Sequence, residues 1–168
     1  MNWKLVLSLF LITAGLQGFS QYSSSSGFEG YPIVLNGNSI NYINVSNDID
    51  VVLEQVNADH VSVLTKKENL KKLQITMIDG SLYLSTKHMA AGERLTVYVN
   101  VEELRAINLD GNAFAMSRGV IKAGSLRVRL GELAKAVIRT TGKLRVTSPK
   151  QYQVVQGENY YALQTFGN

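Results

Sequence analysis

The stretch Leu126-Arg127-Val128-Arg129-Leu130-Gly131 alternates apolar and basic residues, and its leading Leu-Arg pair recurs at Leu104-Arg105 and Leu144-Arg145. The three pairs are separated by 22 and 18 residues. A period of two is typical of a strand with one face on a core, and recurrence at about 20 residues is typical of a solenoid whose repeats stack as rungs. We therefore predict stacked parallel strands with leucines inside and arginines outside.

The rest of the second half of the chain supports strands rather than helices. Leu133 to Ile138 has a composition that suits helix, but it is short and lies between strand repeats, so we predict a strand. Ala106-Ile107 breaks the alternation of the first repeat, which predicts a β-bulge or a wider corner there. The tail from Tyr152 to Leu163 predicts a final hairpin turning at Gly157-Glu158-Asn159, which would cover the last rung.

The first half of the chain predicts hairpins. Asp79-Gly80 separates two alternating runs, and both residues tolerate the positive φ of a two-residue hairpin turn. Only Glu68 to Leu73 suggests a helical turn. The predicted fold is all-β: a stacked-strand β-solenoid, similar to a parallel β-helix, in the C-terminal part, with antiparallel hairpins before it and a capping hairpin at the end.

The N-terminus has the pattern of an export signal. Lys4 precedes an apolar run from Leu5 to Leu16, and Gly18-Phe19-Ser20 predicts cleavage before Gln21. A retained N-terminal anchor is the alternative. We predict a signal peptide at residues 1–20, a flexible Ser/Gly-rich spacer at 21–30 and a single all-β domain at 31–168, with no transmembrane segment after cleavage. The absence of cysteine excludes disulfides and an acyl group on cysteine.

Charge is distributed unevenly along the chain. Residues 104–150 contain ten basic and two acidic side chains, a balance of +8. Residues 21–103 contain six basic and ten acidic side chains, a balance of −4. The predicted mature protein therefore has an acidic and a basic half.

Residue types that carry catalysis are sparse. His60 and His88 are 28 residues apart with no zinc-binding motif around them, and they are expected to be exposed polar residues. Asp48 and Asp50 would share one strand face and could hold calcium, although turn formation explains the pair more simply. The glycosylation sequon at Asn44 is interpreted as coincidence. No catalytic residue, metal or cofactor is predicted.

The order and spacing of several stretches resemble the GIN domain, the head domain of auto-transporter adhesins that is common in exported bacterial proteins. The resemblance runs from about Tyr42 to Val146. The stretches that carry it are Ile43-Asn44-Val45, Ile49-Asp50-Val51-Val52-Leu53, Asn69-Leu70, Ile75, Gly80-Ser81-Leu82-Tyr83-Leu84, Leu104, Ile107-Asn108-Leu109-Asp110-Gly111 and Leu126-Arg127-Val128-Arg129-Leu130-Gly131.

This chain departs from the family in its turns. Family members often have Ser-Gly-Ser-Gly turns, whereas Asp110-Gly111-Asn112 and Leu130-Gly131-Glu132 keep one glycine each. The resemblance implies an all-β fold with stacked parallel strands in the C-terminal part. It implies no catalytic residues.

A basic ladder is the candidate binding site, formed by Arg105, Arg127, Arg129 and Arg145. Stacked arginines suit sulfate, phosphate or carboxylate groups. Two alternatives stay open: the ladder keeps the sheet soluble, or it pairs with the acidic half of this chain or of a neighbour. Nucleic acid is not expected as a partner, because no aromatic residues interleave with the ladder and the protein is expected to be exported.

The predicted function is that of a non-enzymatic exported module of the cell envelope or surface, used for binding or adhesion to an anionic glycan or polymer. It would act in the periplasm, on the outer surface or as a secreted protein. The alternatives are a structural component of an envelope assembly and a polysaccharide-active β-helix enzyme. The sequence leaves the oligomeric state open.

Overall fold

The computed structural model describes residues 29–35, 39–57, 59–157 and 160–165. The predicted signal peptide lies outside these residues. The first strand begins at Glu29, so the last two residues of the predicted spacer belong to a strand. The described elements are β1 (Glu29–Ile33), β2 (Tyr42–Ser46), β3 (Ile49–Gln55), β4 (His60–Thr65), α1 (Lys67–Leu70), β5 (Leu73–Ile78), β6 (Ser81–Thr86), β7 (Leu95–Val101), β8 (Ala106–Asp110), β9 (Phe114–Ser117), β10 (Ser125–Leu130), β11 (Lys135–Ile138), β12 (Lys143–Thr147), β13 (Tyr152–Gln156) and β14 (Tyr161–Thr165).

These elements confirm the all-β prediction, and they form two mixed sheets, neither of them closed. The six-stranded sheet has the order β12-β10-β8-β2-β6-β5, and the eight-stranded sheet has the order β1-β4-β7-β3-β9-β11-β14-β13. In the six-stranded sheet β12, β10, β8, β2 and β6 are parallel. In the eight-stranded sheet β7, β3, β9 and β11 are parallel. The predicted parallel pairing of the Leu-Arg repeats is therefore present in the six-stranded sheet, and parallel pairing also occurs in the eight-stranded sheet.

Successive strands of the second half alternate between the two sheets. Strands β8, β10 and β12 lie in the six-stranded sheet, while β9 and β11 lie in the eight-stranded one. The same crossing occurs earlier, from β2 to β3, through Asn47 at a φ of 67°. Asparagine tolerates this left-handed conformation, so the chain turns a corner into the opposite sheet. The antiparallel hairpins predicted before the repeats therefore describe only part of the first half, because β2 and β3 each already pair in parallel with neighbouring strands.

Two predicted hairpins are present. Asp79 and Gly80 join antiparallel β5 and β6 with φ values of 45° and 74°, both in the left-handed region that the turn requires. At the C-terminal end, β13 and β14 form an antiparallel pair, although residues 158–159 of its predicted turn lie outside the described part. Because β14 pairs with β11, this hairpin extends the eight-stranded sheet.

The C-terminal hairpin covers one sheet edge only. Among the described strands, β12 pairs with β10 alone and lies at the edge of the six-stranded sheet. Its exposed Lys143 and Arg145 are charges of the kind that discourage an edge strand from pairing with another chain.

Two short segments also match the predictions. The ambiguous segment is a strand from Lys135, and Leu133 precedes it in a turn with a φ of 57°. The helical turn is α1, which ends at Leu70.

The core lies between the inner faces of the two sheets and is made of aliphatic side chains. Leu104 and Leu126, the leucines of the first two repeats, are buried. Leu144 is half-buried, because its strand β12 lies at the sheet edge. Inward leucine and valine on β10 alternate with outward arginine, as the sequence predicts. The core therefore fixes which side chains of each strand face solvent.

Candidate functional site

The four arginines of the predicted ladder lie on or beside the outer face of the six-stranded sheet. Arg127 and Arg145 are register partners on β10 and β12, so their Cα atoms are about 4.8 Å apart. Arg129 lies two residues further along β10 on the same face. These three side chains are exposed. The structure therefore brings three of the four predicted residues together.

Arg105 differs from the other three in register. The partner of Arg127 on β8 is Ala106, not Arg105. The backbone N–H groups of Arg105 and Ala106 both donate to the carbonyl of Asn41, at 2.9 and 3.3 Å. Two residues opposite one are typical of a β-bulge, as the broken alternation predicts. The predicted register of Arg105 with the other arginines is therefore wrong by one residue.

Arg105 also has a partner of its own. Its guanidinium contacts the Glu103 carboxylate with a nitrogen to oxygen distance of 3.2 Å. Hydrogen bonding to Glu103 raises the pKa of Arg105, with a smaller contribution from Tyr42. In the described part of the chain, Arg127, Arg129 and Arg145 form no ion pair within 4.0 Å. Three arginines therefore remain available to an external anion.

A row of polar side chains continues from Arg129 across the same face. The register places Tyr83, Asn44, Asn108, Arg129 and Thr147 on five neighbouring strands, from β6 to β12. We call these five residues the polar row. Its four strand-to-strand steps span about 19 Å. The Nδ2 group of Asn108 donates to Oδ1 of Asn44 at 2.7 Å, which fixes both amides.

Four members of the polar row, Tyr83, Asn44, Asn108 and Arg129, line the floor of an open groove of about 540 Å³. Ser46, Ser85 and Asp110 continue the groove floor one level further along the strands. At one end of the groove, Lys150 Nζ lies 3.0 Å from the Glu132 carboxylate. The groove thus combines an aromatic ring that is 44% exposed, at Tyr83, with hydroxyl, amide and guanidinium groups. Such a set can stack against a sugar ring, donate to its hydroxyls and pair with an acidic substituent.

Reasoning from sequence missed most of this groove. Asn44 and Asn108 alternate with buried apolar neighbours, so their outward direction could be predicted. Their meeting depends on the order β6-β2-β8-β10, in which strands distant in sequence become neighbours. Alternation predicts the face of a residue but not which strand lies beside it.

The carboxylates of Asp48 and Asp50 both interact with the guanidinium of Arg94. Both Nε and Nη2 of Arg94 donate to Oδ1 of Asp50, at 2.8 and 2.6 Å. Its Nη1 lies 3.8 Å from Asp48 Oδ1, and its Nη2 also donates to the carbonyl of Asn112 at 2.7 Å. This arrangement, which we call the Arg94 clamp, ties the corner before β3 to the corner before β9. A guanidinium at this position disfavours a calcium ion there.

The two histidines lie apart from the groove and from each other. His60 begins β4 and is exposed, and His88 lies in the loop after β6 with a φ of 48°. Within residues 29–35, 39–57, 59–157 and 160–165, no three His, Asp or Glu side chains are placed to hold a metal ion. No helix in this same part is long and apolar enough to cross a membrane.

The fold is similar to solved structures of several bacterial proteins. A structure described as a "putative adhesin" from Parabacteroides merdae matches with a TM-score of 0.59 and 17% identity, over 74% of this chain and 53% of that one. A "putative adhesin" from Bacteroides fragilis matches with a TM-score of 0.53 and 12% identity, over 73% and 62%. A "putative lipid binding protein" from Parabacteroides distasonis matches with a TM-score of 0.52 and 16% identity, over 74% and 68%.

This chain thus spans about half of the Parabacteroides merdae structure. At these identities the likeness concerns the fold. A comparison with curated protein sequences found no significant match.

The family comparison covers most of the chain. The family described as "Putative auto-transporter adhesin, head GIN domain" matches residues 40–156, which span both sheets from before β2 to the end of β13. This confirms the resemblance carried by the strand residues and the corner glycines. The chain therefore belongs to the GIN domain family of adhesin heads.

Proposed function

We propose that this protein is a non-enzymatic binding module that holds an anionic glycan on the outer face of its six-stranded sheet. The observation that carries the proposal is the polar row, which begins at an exposed Tyr83 and ends beside the exposed Arg127 and Arg145. The adhesin description of the family supports a role in binding.

The chemistry of the groove suits a chain of sugars with acidic substituents. Tyr83 would stack on the apolar face of one ring, and the amides of Asn44 and Asn108 would bond its hydroxyls. Arginine forms bidentate contacts with carboxylate or sulfate groups, so Arg127 and Arg129 would select the acidic unit. Two exposed arginines whose Cα atoms are about 4.8 Å apart place like charges on neighbouring strands, and an anion bound there would offset their repulsion, which favours an acidic ligand over a neutral one.

The carboxylates of the groove support binding rather than hydrolysis. Glu132 is paired with Lys150 at 3.0 Å, and Oδ1 of Asp110 accepts the backbone N–H of Gly111 at 3.0 Å. General acid–base catalysis needs a carboxyl group that can reach the reacting bond and exchange a proton. Both carboxylates already have a partner within the protein, which supports the non-enzymatic assignment.

The proposal includes export and a finer description of the fold. The signal-like residues 1–20 support export to the periplasm, the outer surface or the medium, where acidic polymers are accessible. Strands β8 to β12 lie alternately in the two sheets and pair in parallel within each sheet. This arrangement supports a short solenoid that ends at the C-terminal hairpin. A structural part in an envelope assembly is the second function that this location would allow.

Titration with a single short ligand tests the proposal. The purified chain is titrated calorimetrically with a galacturonate tetrasaccharide and with its neutral galactose counterpart. We expect binding of the acidic ligand that weakens with salt, and little binding of the neutral one. Changing Arg127, Arg129 and Arg145 to serine should weaken acidic binding at least about 10-fold, the equivalent of about 1.4 kcal/mol.

The matched control removes the same charge from the opposite outer face. Arg118→Ser, Arg139→Ser and Lys135→Ser together should leave the affinity for the acidic tetrasaccharide within about 2-fold. A single short ligand bound in the groove does not reach these three residues. Equal losses in both triple variants would mean that only net charge matters. Release of new reducing ends from the tetrasaccharide would overturn the non-enzymatic assignment.

A further inference from the structure

The outer face of the eight-stranded sheet carries an apolar row that faces solvent. One level of the register joins Tyr98, Val52, Met116, Val137, Ala162 and Val155 on six neighbouring strands. Met116, Val137 and Val155 are 38%, 36% and 47% exposed. A sheet with one solvated face normally presents polar residues there, so a continuous apolar row indicates that something covers it.

Charged residues lie beside the apolar row and differ in sign along it. Glu54 lies on β3, two residues beyond Val52. Arg118 follows β9 and Arg139 follows β11 at the same level, two residues beyond Met116 and Val137. Among the described residues, neither arginine nor Glu54 has an ion-pair partner within 4.0 Å. Glu54 and the two arginines therefore lie on opposite sides of the boundary between β3 and β9.

We propose that the apolar row is the interface of a two-fold dimer in which a second copy of this chain packs face to face. The proposal is independent of the function assigned to the groove. Aligned sheet packing is an established way to bury one sheet against another. A two-fold axis along the strands, between β3 and β9, passes through the middle of the eight strands.

This axis sets complementary residues opposite each other. It places Val52 over the partner's Met116, and Tyr98 over the partner's Val137. It also places Glu54 opposite the partner's Arg118, twice by symmetry. An axis one strand further along would instead set Arg118 against the partner's Arg139. Charge therefore selects the central axis.

The size of the face agrees with a stable interface. Eight strands and three levels of outward residues cover on the order of 700 Å². Specific interfaces bury about 800 Å² on each partner. A lipid surface is a poorer match, because attraction to anionic lipid needs basic residues across the whole face and Glu54 lies at its centre.

Sedimentation velocity tests the dimer. We expect the purified chain to sediment with twice the mass of one chain at concentrations of about 1–100 µM. This range covers the weaker dissociation constants that interfaces of this size show. Met116→Asp and Val137→Asp should each weaken dimerisation at least about 10-fold, because they bury a carboxylate. Val120→Asp is the matched control, since Val120 is 43% exposed but lies outside both sheets. Unfolding midpoints of all variants show whether they fold.

A mixing experiment tests the axis itself. Glu54→Arg and Arg118→Glu should each be monomeric, since like charges then meet twice. An equimolar mixture of the two variants should dimerise, because the arginine introduced into one chain then faces the glutamate introduced into the other. Because each variant alone is monomeric, dimerisation of the mixture must come from contacts between two molecules and not from changes within one chain.

A wild type that stays monomeric, or a mixture that does not associate, would overturn the proposal. Flotation of monomeric wild type with phosphatidylglycerol vesicles, lost in Met116→Asp, would assign the face to lipid instead.

Discussion

The outer faces of the two sheets differ although their strands follow the same alternation. On the six-stranded sheet, one level reads Tyr83, Asn44, Asn108 and Arg129, which is polar and open. On the eight-stranded sheet, the apolar row occupies the corresponding positions. Both sheets contribute aliphatic side chains to the same interior. Packing in the core therefore constrains only every second residue of a strand, the one that points inward. The outward residues between them can differ from sheet to sheet, so each outer face can bind a different partner.

A substitution inside the shared core should have the largest effect. Leu126 is fully buried on β10, the strand that also carries Arg127 and Arg129. Leu126→Ala should lower the free energy of unfolding by about 2–5 kcal/mol, from lost burial and a residual cavity. Urea denaturation followed by circular dichroism measures it.

Leu144→Ala is the matched control for that substitution. Leu144 is the equivalent leucine of the next repeat, yet it is only half-buried on the edge strand β12. We expect a loss of about 1–2 kcal/mol, because less apolar surface returns to water. Equal losses at the two leucines would contradict the position of β12 at the edge.

The corner between the two sheets should be the next most sensitive place. Gly111 has a φ of 60° between β8 and β9, and a Cβ there would lie 3.2 Å from the backbone nitrogen of Asn47. Gly111→Ala should therefore lower the free energy of unfolding by about 1–3 kcal/mol. Gly119→Ala, where a Cβ meets nothing within 4 Å, should change it by less than about 0.5 kcal/mol. Thermal unfolding of both variants makes the comparison, and equal midpoints would argue against a strained corner.

Local features of the fold could be predicted from sequence because they depend on neighbouring residues. Asp79-Gly80 specifies its hairpin by the conformations that these two residues tolerate. The broken alternation at Ala106-Ile107 predicts the bulge that displaces Arg105. The period of the leucines predicts the parallel pairing of β8, β10 and β12.

Features that depend on sheet order could not be predicted in the same way. Asn44 and Asn108 are 64 residues apart, and their hydrogen bond exists only because β2 pairs with β8. The apolar row likewise joins strands from β7 to β13, and each of them contributes only one of its residues. Non-local strand pairing leaves no local trace in the residues that it brings together. The sequence therefore predicts the arginines of the ladder, whereas the polar row and the apolar row are visible only in the three-dimensional arrangement.

The Arg94 clamp should contribute less than the corner, because it is about one-third exposed. Arg94→Ala should lower the free energy of unfolding by about 1 kcal/mol, a value reduced from that of a buried charged hydrogen bond. Asp50→Asn should cost more than Asp48→Asn, since Arg94 Nη2 lies 2.6 Å from Asp50 while its Nη1 lies 3.8 Å from Asp48. Urea midpoints of the three variants measure the order, and a larger effect at Asp48 would contradict the geometry.

The smallest expected effect is a pH dependence at Glu93. Lys72, just before β5 of the six-stranded sheet, lies 3.4 Å from Glu93 in the loop before β7 of the eight-stranded sheet. Hydrogen bonding to Lys72 is the main cause that lowers the pKa of Glu93 below its ordinary value. The unfolded chain then binds the proton more readily than the folded one. The stabilisation by Glu93 is therefore present above the ordinary glutamate pKa of about 4.3 and is lost as pH falls through the lower pKa of the folded state.

Glu93→Gln should therefore be less stable than wild type at neutral pH, and the difference in urea midpoints should narrow as pH falls below about 4. Glu68→Gln is the control, because Glu68 is exposed on the helical turn α1, and it should show no such convergence. A gap between Glu93→Gln and wild type that stays constant with pH would mean that the ionised form of Glu93 does not stabilise the folded protein through Lys72.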